Sequence, residues 1–183
     1  MSIHRFPVVV VGDTGVGKTS LLLRHTGQAF LPVHVPTPGI EFVASRLRLP
    51  SGATVCLEMW DTTGQARFHT VARSCHAGSR ACLLVFDLSR PETFDSIRGW
   101  LDGALDRGHG DVVYVLVGTK SDLPRRVPVA AITGLLADRG EIDAYAETSA
   151  KDGTGVEELF RVRVAEAIYK ADRPVGEPRS RCH

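Results

Sequence analysis

This 183-residue chain has the composition of an ordinary globular domain, with 43% hydrophobic and 23% charged residues. Its 22 Lys and Arg nearly balance its 21 Asp and Glu, so it lacks the basic excess typical of a nucleic-acid-binding protein. The longest apolar stretches, residues 81–86 and 112–117, have six residues each, whereas a membrane-spanning helix needs about 20. Composition therefore predicts one domain, no transmembrane segment and no nucleic-acid partner.

The N-terminus and the cysteines predict a cytoplasmic protein. Residues 1–7 lack the apolar core and the cleavage site of a secretory signal. The chain contains no C-x-x-C pair, and we expect free thiols in a reducing compartment. The four cysteines are Cys56, Cys75, Cys82 and Cys182.

Short apolar segments alternate with helical patterns along the chain, which favours βαβ units and a largely parallel sheet. Strands are predicted near residues 6–11, 40–49, 54–60, 81–87, 112–118 and 142–147. Helices are predicted near residues 18–26, 66–75, 91–106, 127–139 and 154–170. The turn residues at 50–53 favour a hairpin and hence one antiparallel strand. We expect Thr154 and Glu157 to form a capping box at the start of the last helix.

Two segments show no helical or strand period. Residues 27–39 contain three prolines and are expected to form a mobile loop. The tail, residues 171–183, is expected to be disordered because it is short, polar and interrupted by proline and glycine. The predicted folded domain therefore spans residues 1–170.

A phosphate-binding loop is indicated between the first strand and the first helix. Gly12, Gly17, Lys18 and Thr19 have the spacing G-x-x-x-x-G-K-[ST] after the apolar run 8–11, and this order is what a P-loop requires. Glycines let backbone N–H groups turn toward phosphate oxygens, and the helix N-terminus adds a favourable field. Lys18 is predicted to contact the β- and γ-phosphates, and Thr19 to bind Mg²⁺. The predicted nucleotide-binding residues of this loop are Gly12, Thr14, Gly15, Val16, Gly17, Lys18, Thr19 and Ser20.

A second motif, W-D-T-T-G-Q at residues 60–65, ends the third predicted strand. Ligands bind at the carboxyl ends of the strands in open α/β sheets. Asp61 is predicted to act on Mg²⁺ through a bound water, and the Gly64 N–H to contact the γ-phosphate. Gln65 is predicted to orient the attacking water.

A P-loop alone is compatible with ATPases, kinases and GTPases. Two further motifs indicate which nucleotide base is bound. The sequence G-T-K-S-D ends at Asp122 after the fifth strand, and T-S-A-K occupies residues 148–151 after the sixth. A carboxylate can accept hydrogen bonds from both N1–H and the N2 amine of guanine, whereas adenine offers no such donor pair. Asp122 therefore favours guanine. The residues predicted on this side of the site are Thr119, Lys120, Asp122, Ser149, Ala150 and Lys151.

Together these ordered motifs resemble those of the Ras superfamily of small GTPases over residues 6–170. The resemblance implies a P-loop NTPase three-layer α/β sandwich, with a six-stranded, mostly parallel sheet and about five helices. It also implies a switch between GTP and GDP with one Mg²⁺. Within the superfamily the chain resembles the Rab branch. That likeness is carried by P-G-I-E-F at 38–42, L-E-M-W at 57–60, A-R-F at 66–68 and L-V-F-D-L-S at 84–89.

The resemblance implies further roles by position. Thr37 becomes the loop threonine that contacts Mg²⁺ and the γ-phosphate only in the GTP state. The Ala150 N–H becomes a donor to guanine O6, and the stem of Lys120 covers the base. The implied catalytic residues are Gln65, Lys18 and Thr37, and the implied metal-binding residues are Thr19, Thr37 and, through water, Asp61. Effectors, an exchange factor and a GTPase-activating protein are expected to bind the switch regions.

Several positions differ from the family pattern. Thr119 replaces the usual Asn and is expected to lose the carboxamide contacts to the base and the P-loop. Thr14 is bulkier than the Gly or Ser common there, which predicts crowding of the attacking water and slow turnover. Cys75 replaces the aromatic residue that normally completes a hydrophobic partner patch with Phe42 and Trp60.

The function that the sequence favours is a Rab-like switch that hydrolyses GTP slowly and recruits effectors in its GTP state, in membrane trafficking. The alternative is a non-hydrolysing guanine-nucleotide-binding scaffold, which Thr14, Thr63 and Thr119 make plausible. Cys182 is a candidate for prenylation and peripheral attachment to the cytosolic face of a membrane. Its context, R-C-H, matches neither a double-cysteine ending nor a CaaX box, so a tail without a lipid is the other expectation.

Overall fold

The computed structural model describes residues 3–31, 41–62, 78–106 and 111–172. The strands of this part are β1 (His4–Val11), β2 (Glu41–Arg48), β3 (Thr54–Asp61), β4 (Ala81–Asp87), β5 (Val113–Thr119) and β6 (Ile142–Glu147). They form one six-stranded sheet in the order β2-β3-β1-β4-β5-β6. β2 and β3 are antiparallel, and the other neighbouring pairs are parallel. All the predicted strands are confirmed, with small shifts at their ends.

The helices of the described residues are α1 (Lys18–His25), α2 (Pro91–Asp95), α3 (Ile97–Leu105), α4 (Val129–Asp138), and a C-terminal helix built from α5 (Val156–Glu158), a π-helical segment (Leu159–Glu166) and α6 (Ala167–Ala171). The single helix predicted over 91–106 is divided at Ser96 into α2 and α3. The helix predicted near 66–75 lies outside the described residues, as do residues 32–39 of the expected loop and 173–183 of the expected tail.

The predicted capping box at the start of the C-terminal helix is wrong. The residue that caps α5 is Gly155, with φ 69° and no side-chain cap. A Cβ atom at Gly155 would lie 2.1 Å from the carbonyl oxygen of Glu147, so the close approach to the end of β6 requires glycine. Thr154 instead donates its backbone N–H to Asp152 Oδ1 at 2.9 Å.

The hairpin between β2 and β3 is confirmed. The Leu49 N–H donates to the Ala53 oxygen at 2.8 Å, and the Gly52 N–H donates to the Leu49 oxygen at 2.9 Å. Gly52 has φ 83°, which is the left-handed conformation that glycine adopts without steric cost. The hairpin adds β2 as an edge strand whose residues alternate between exposed and half-buried.

The core consists of two apolar clusters, one on each face of the sheet. Val8 and Val10 of β1 belong to the cluster that includes α1 and the C-terminal helix. Val9 and Val11 belong to the cluster that includes α3 and α4. Burying one such valine contributes roughly 1.5–3 kcal/mol. This three-layer arrangement fixes the strands so that the carboxyl ends of the parallel strands meet at one edge.

No helix within residues 3–31, 41–62, 78–106 and 111–172 is both long enough and apolar enough to cross a bilayer.

Candidate nucleotide-binding site

The loop between β1 and α1 has a backbone path that only glycine permits. Gly12 has φ 145°, and a Cβ atom there would lie 2.1 Å from the Val85 oxygen of β4. Gly15 and Gly17 have φ 78° and 98°, and Gly17 is the residue that caps α1. The glycine spacing predicted for a P-loop therefore corresponds to the backbone turn that such a loop needs.

Lys18, the first residue of α1, is buried beneath this loop. Its side chain is only 5% exposed, and its Nζ donates to the oxygens of Gly12 and Asp13, both at 2.8 Å. Burial lowers the pKa of Lys18 to about 8, although the charges of Asp61 and Asp13 oppose this shift. The ammonium group is thus held inside the loop by two backbone carbonyls.

Thr19 and Asp61 bring the P-loop and the D-x-x-G motif together. The Thr19 hydroxyl donates to Asp61 Oδ2 at 2.5 Å, and Asp61 is buried at the end of β3. The neighbouring Thr62 hydroxyl donates to the Val10 oxygen at 2.7 Å, which ties the end of β3 to β1. A hydroxyl and a carboxylate are the oxygen ligands that Mg²⁺ prefers. These residues therefore fit a magnesium site, as predicted from the two motifs.

Thr119, at the end of β5, contacts the P-loop directly. Its hydroxyl lies 2.5 Å from the Val16 oxygen and 2.9 Å from the Phe86 oxygen, so its single proton is shared between two carbonyls. The expectation that Thr119 loses the P-loop contact is wrong, because β5 ends close enough to the loop for a short side chain to reach it.

Lys120 crosses from the end of β5 to the P-loop and is held at both of its ends. Its backbone has φ 58°, in the left-handed region. Its Nζ donates to the Gly15 oxygen at 2.8 Å and lies 2.7 Å from Asp87 Oδ2. The aliphatic stem of Lys120 therefore has a fixed path along the site.

Asp87 is a residue of this site that the sequence analysis missed. Its side chain has no solvent exposure, and it accepts hydrogen bonds from the Ser89 N–H at 2.8 Å and the Ser89 hydroxyl at 2.6 Å. Burial by itself would raise the pKa of this carboxyl, but the hydrogen bonds from Lys120 and Ser89 outweigh it, and the pKa is lowered. The available signal was a carboxylate at the end of the otherwise apolar β4.

The base-side loops meet at Asp122 and Ser149. The Ser149 hydroxyl donates to Asp122 Oδ1 at 2.7 Å, and Lys151 Nζ lies 3.9 Å from Asp122 Oδ2. The Ser121 N–H donates to the Thr148 oxygen at 3.1 Å, which joins the loops after β5 and β6. Ser149 therefore orients the carboxylate that was predicted to select the base.

A cavity of about 350 Å³ connects the P-loop with these loops. The predicted residues that line it are Gly15, Gly17, Ser20, Thr119, Lys120, Asp122, Ala150 and Lys151. Its lining also includes five residues that were not predicted from the sequence: Leu21, Phe30, Leu31, Leu123 and Thr148. Phe30 and Leu31 are the largest apolar residues of a glycine- and proline-rich segment, which is the signal that could have found them. Apolar walls with a few polar groups suit a planar base.

The remaining predicted residues lie outside the described part of the chain. They are Thr37, Thr63, Gly64, Gln65, Cys75 and Cys182. Phe42 and Trp60, the other two members of the expected partner patch, are described. Their rings have centroids 4.9 Å apart, and Phe42 is 51% exposed. Two members of the predicted patch are thus in contact across β2 and β3.

The sheet order, the glycine loop and the buried Lys18 define a nucleotide-binding α/β protein of the P-loop class. A model of the Ras family matches residues 7–170. Because this match covers most of the chain, the protein belongs to the Ras family and is a small GTP-binding switch protein. Members of this family bind GTP or GDP with Mg²⁺ and hydrolyse GTP. The glycine cradle, the cavity and the oxygen atoms of Thr19 and Asp61 all fit these ligands.

Proposed function

We propose that the protein is a Rab-like switch that hydrolyses GTP slowly and recruits effectors in its GTP state, in membrane trafficking. The observation that carries its choice of guanine is the Asp122 carboxylate, oriented by Ser149 in a cavity that P-loop glycines also line. Both carboxylate oxygens belong to one planar group, which matches the adjacent N1–H and N2 amine donors of guanine.

The phosphate-side residues have separate roles in this proposal. The backbone N–H groups of residues 14–20 and the Lys18 ammonium bind phosphate oxygens. Thr19 and, in the GTP state, Thr37 hold Mg²⁺ directly, whereas Asp61 holds it through water. The metal supplies neutralisation of phosphate charge. The Gly64 N–H contacts the γ-phosphate, and the Gln65 amide orients the attacking water.

The base-side residues form a mixed polar and apolar pocket. Asp122 selects guanine, the Ala150 N–H donates to guanine O6, and the stem of Lys120 covers the base. Support for this last role comes from the two contacts that hold Lys120 Nζ. Ser149 donates to one oxygen of the Asp122 carboxylate, and the Lys151 ammonium lies near the other.

The proposed partners are effectors, an exchange factor and a GTPase-activating protein that bind around Thr37 and Gln65. The contact between Phe42 and Trp60 supports a Rab-like partner surface at β2 and β3. Cys75 supplies less contact area than an aromatic residue, so we expect an effector set that differs from that of common Rabs. We propose that the GTP-binding domain spans residues 1–170 and that the protein is cytoplasmic, with Cys182 as a candidate anchor to the cytosolic face of a membrane.

Identification of the co-purifying nucleotide, followed by a single-turnover assay with GTP and Mg²⁺, tests this function. We expect bound GDP or GTP and slow conversion of GTP to GDP. Gln65→Leu should slow the conversion further without loss of binding, because Lys18 and Thr19 are intact. Bound adenine nucleotide would contradict the choice of base. GTP that remains unhydrolysed in both proteins would instead identify a non-hydrolysing scaffold.

A further inference from the structure

The P-loop carries a carboxylate immediately after its first glycine, and this carboxylate is bonded to α3. Trp100 Nε1 donates to Asp13 Oδ1 at 2.8 Å. The two residues are 87 positions apart in the chain, and both are half-buried. The site binds polyanionic phosphates, so an acidic side chain within its loop needs a physical explanation.

Asp13 is a close neighbour of Lys18. The Lys18 Nζ already donates to the backbone oxygen of Asp13 at 2.8 Å. The side chains of Asp13 and Lys18 carry opposite charges and therefore attract each other. An ion pair between this carboxylate and the ammonium group would compete with phosphate oxygens for the same cation.

The indole of Trp100 fixes the carboxylate on the α3 side of the loop. A hydrogen bond to a charged acceptor is stronger than one between neutral groups. Trp100 also lies on a helix that is anchored by the buried side chains of Ile97, Leu101 and Ala104. Because the donor sits on a rigid element, it holds Asp13 in one orientation.

We propose that Trp100 is a positioning residue for nucleotide binding. It holds the Asp13 carboxylate away from Lys18, so that the ammonium group is available to the phosphates. This inference rests on the proposed contact between Lys18 and the phosphates. The effect is larger for GTP than for GDP, since the γ-phosphate adds negative charge near the displaced carboxylate.

The test is a double-mutant cycle on the full chain, with fluorescent N-methylanthraniloyl GDP and the corresponding non-hydrolysable GTP analogue as probes. Trp100→Phe keeps an aromatic ring but removes the N–H donor. We expect it to weaken binding of the GTP analogue about tenfold, which corresponds to about 1.4 kcal/mol, and binding of GDP less. In an Asp13→Asn background, where no charge needs to be held, the same substitution should change affinity less than about twofold.

An equal loss of affinity in both backgrounds would show that Trp100 only packs α3, and no loss in either would show that the bond is irrelevant; each result overturns the proposal. Asp13→Glu supplies a second measurement that leaves Trp100 intact. Its longer carboxylate cannot keep the same bond, so it should bind the GTP analogue more weakly than Asp13→Asn does. Equal affinity of these two variants also contradicts the proposal.

A separate control distinguishes this inference from the function on which it rests. Lys18→Met should weaken binding of both probes strongly by itself. Normal binding by Lys18→Met would overturn the phosphate role of Lys18. Strong loss in Lys18→Met, without coupling between Trp100 and Asp13, would overturn only the role of Trp100.

Discussion

Lys18 and Asp87 are both ionisable and almost fully buried, with 5% and 0% exposure. They differ in the neighbouring groups that compensate their charges. Asp87 receives a cation, Lys120, and two hydrogen bonds from Ser89, so its pKa is lowered and its charged form is favoured. Among the described residues, Lys18 donates its hydrogen bonds to the backbone carbonyls of Gly12 and Asp13, and its burial lowers its pKa to about 8. The backbone carbonyls therefore compensate the charge of Lys18 less fully than Lys120 and Ser89 compensate that of Asp87.

The affinity for GDP should fall as the pH rises above about 8. The free protein loses the Lys18 proton there, whereas phosphate binding requires the proton to be taken up again, so affinity falls at most about tenfold per pH unit. The same lowered pKa means that Lys18 reduces the free energy of unfolding of the nucleotide-free protein below pH 8. This destabilisation decreases as the pH rises from 8 to the ordinary pKa of 10.5. Calorimetric titration with GDP at several pH values measures the effect.

Lys18→Met is the control for this pH dependence. Any titration of the nucleotide itself occurs equally in both proteins, so the difference between their pH profiles belongs to Lys18. Parallel profiles for the wild type and Lys18→Met would contradict the prediction.

The elements of the fold are tied to one another at the edge of the sheet that carries the site. Lys120 at the end of β5 joins Asp87 at the end of β4 to Gly15 in the P-loop. Thr119 adds a bond to Val16. These links are possible because β1, β4 and β5 are adjacent and parallel, so their carboxyl ends lie side by side. Strand order thus determines which loops can share a ligand.

Asp87→Asn should loosen these links without a change in side-chain size. Lys120 would lose its anionic partner while its hydrogen bond to the Gly15 oxygen stays. We expect a loss of about 1–3 kcal/mol in the free energy of unfolding, together with faster release of GDP. Urea unfolding and the release rate of a fluorescent GDP measure these changes.

Asp138→Asn is a matched control, because it removes an ion pair with Arg98 whose two side chains are 63% and 53% exposed. Such a pair contributes about 0–1 kcal/mol, and it lies on α3 and α4, away from the residues that line the cavity. Equal effects of the two substitutions on GDP release would contradict a specific role for Asp87.

On the scale of the whole molecule, the cavity joins parts of the chain that are far apart in sequence. Its lining runs from Gly15 to Lys151, so a ligand in the cavity would contact segments from early and late in the sequence. A ligand that binds only the folded state stabilises it by mass action, by about 4 kcal/mol at a thousand times its dissociation constant. The increase in melting temperature on addition of a nucleotide therefore measures its binding to the folded domain.

Asp122→Asn should lose most of its thermal stabilisation by GDP and regain it with xanthosine diphosphate. The new amide N–H faces the N2 amine of guanine but can donate to the O2 oxygen of xanthine. The Ser149 hydroxyl can still donate to the amide oxygen. Melting curves with each nucleotide measure the exchange, and Asp95→Asn, an exposed position on α2, is the control. Equal GDP stabilisation of wild type and Asp122→Asn would remove Asp122 from base recognition.

Local patterns in the sequence predicted most of the fold and much of the site. The strand periods, the hairpin at 50–53 and the glycine spacing at 12–17 each depend on neighbouring residues, and all are confirmed. The capping box at Thr154 failed although its spacing was correct, because the fold brings Gly155 against the Glu147 oxygen. A local rule is overridden where another element approaches too closely for any side chain.

The sequence by itself determined the family, the order of the elements and the residue types at the phosphate and base loops. Only the tertiary structure decided that Asp87 pairs with Lys120, that Thr119 reaches Val16 and that Trp100 holds Asp13. Each of these contacts joins residues at least 33 positions apart. A hydrogen bond has a reach of about 3 Å, and such contacts form only after strand order and side-chain direction have been set by burial of the two apolar cores.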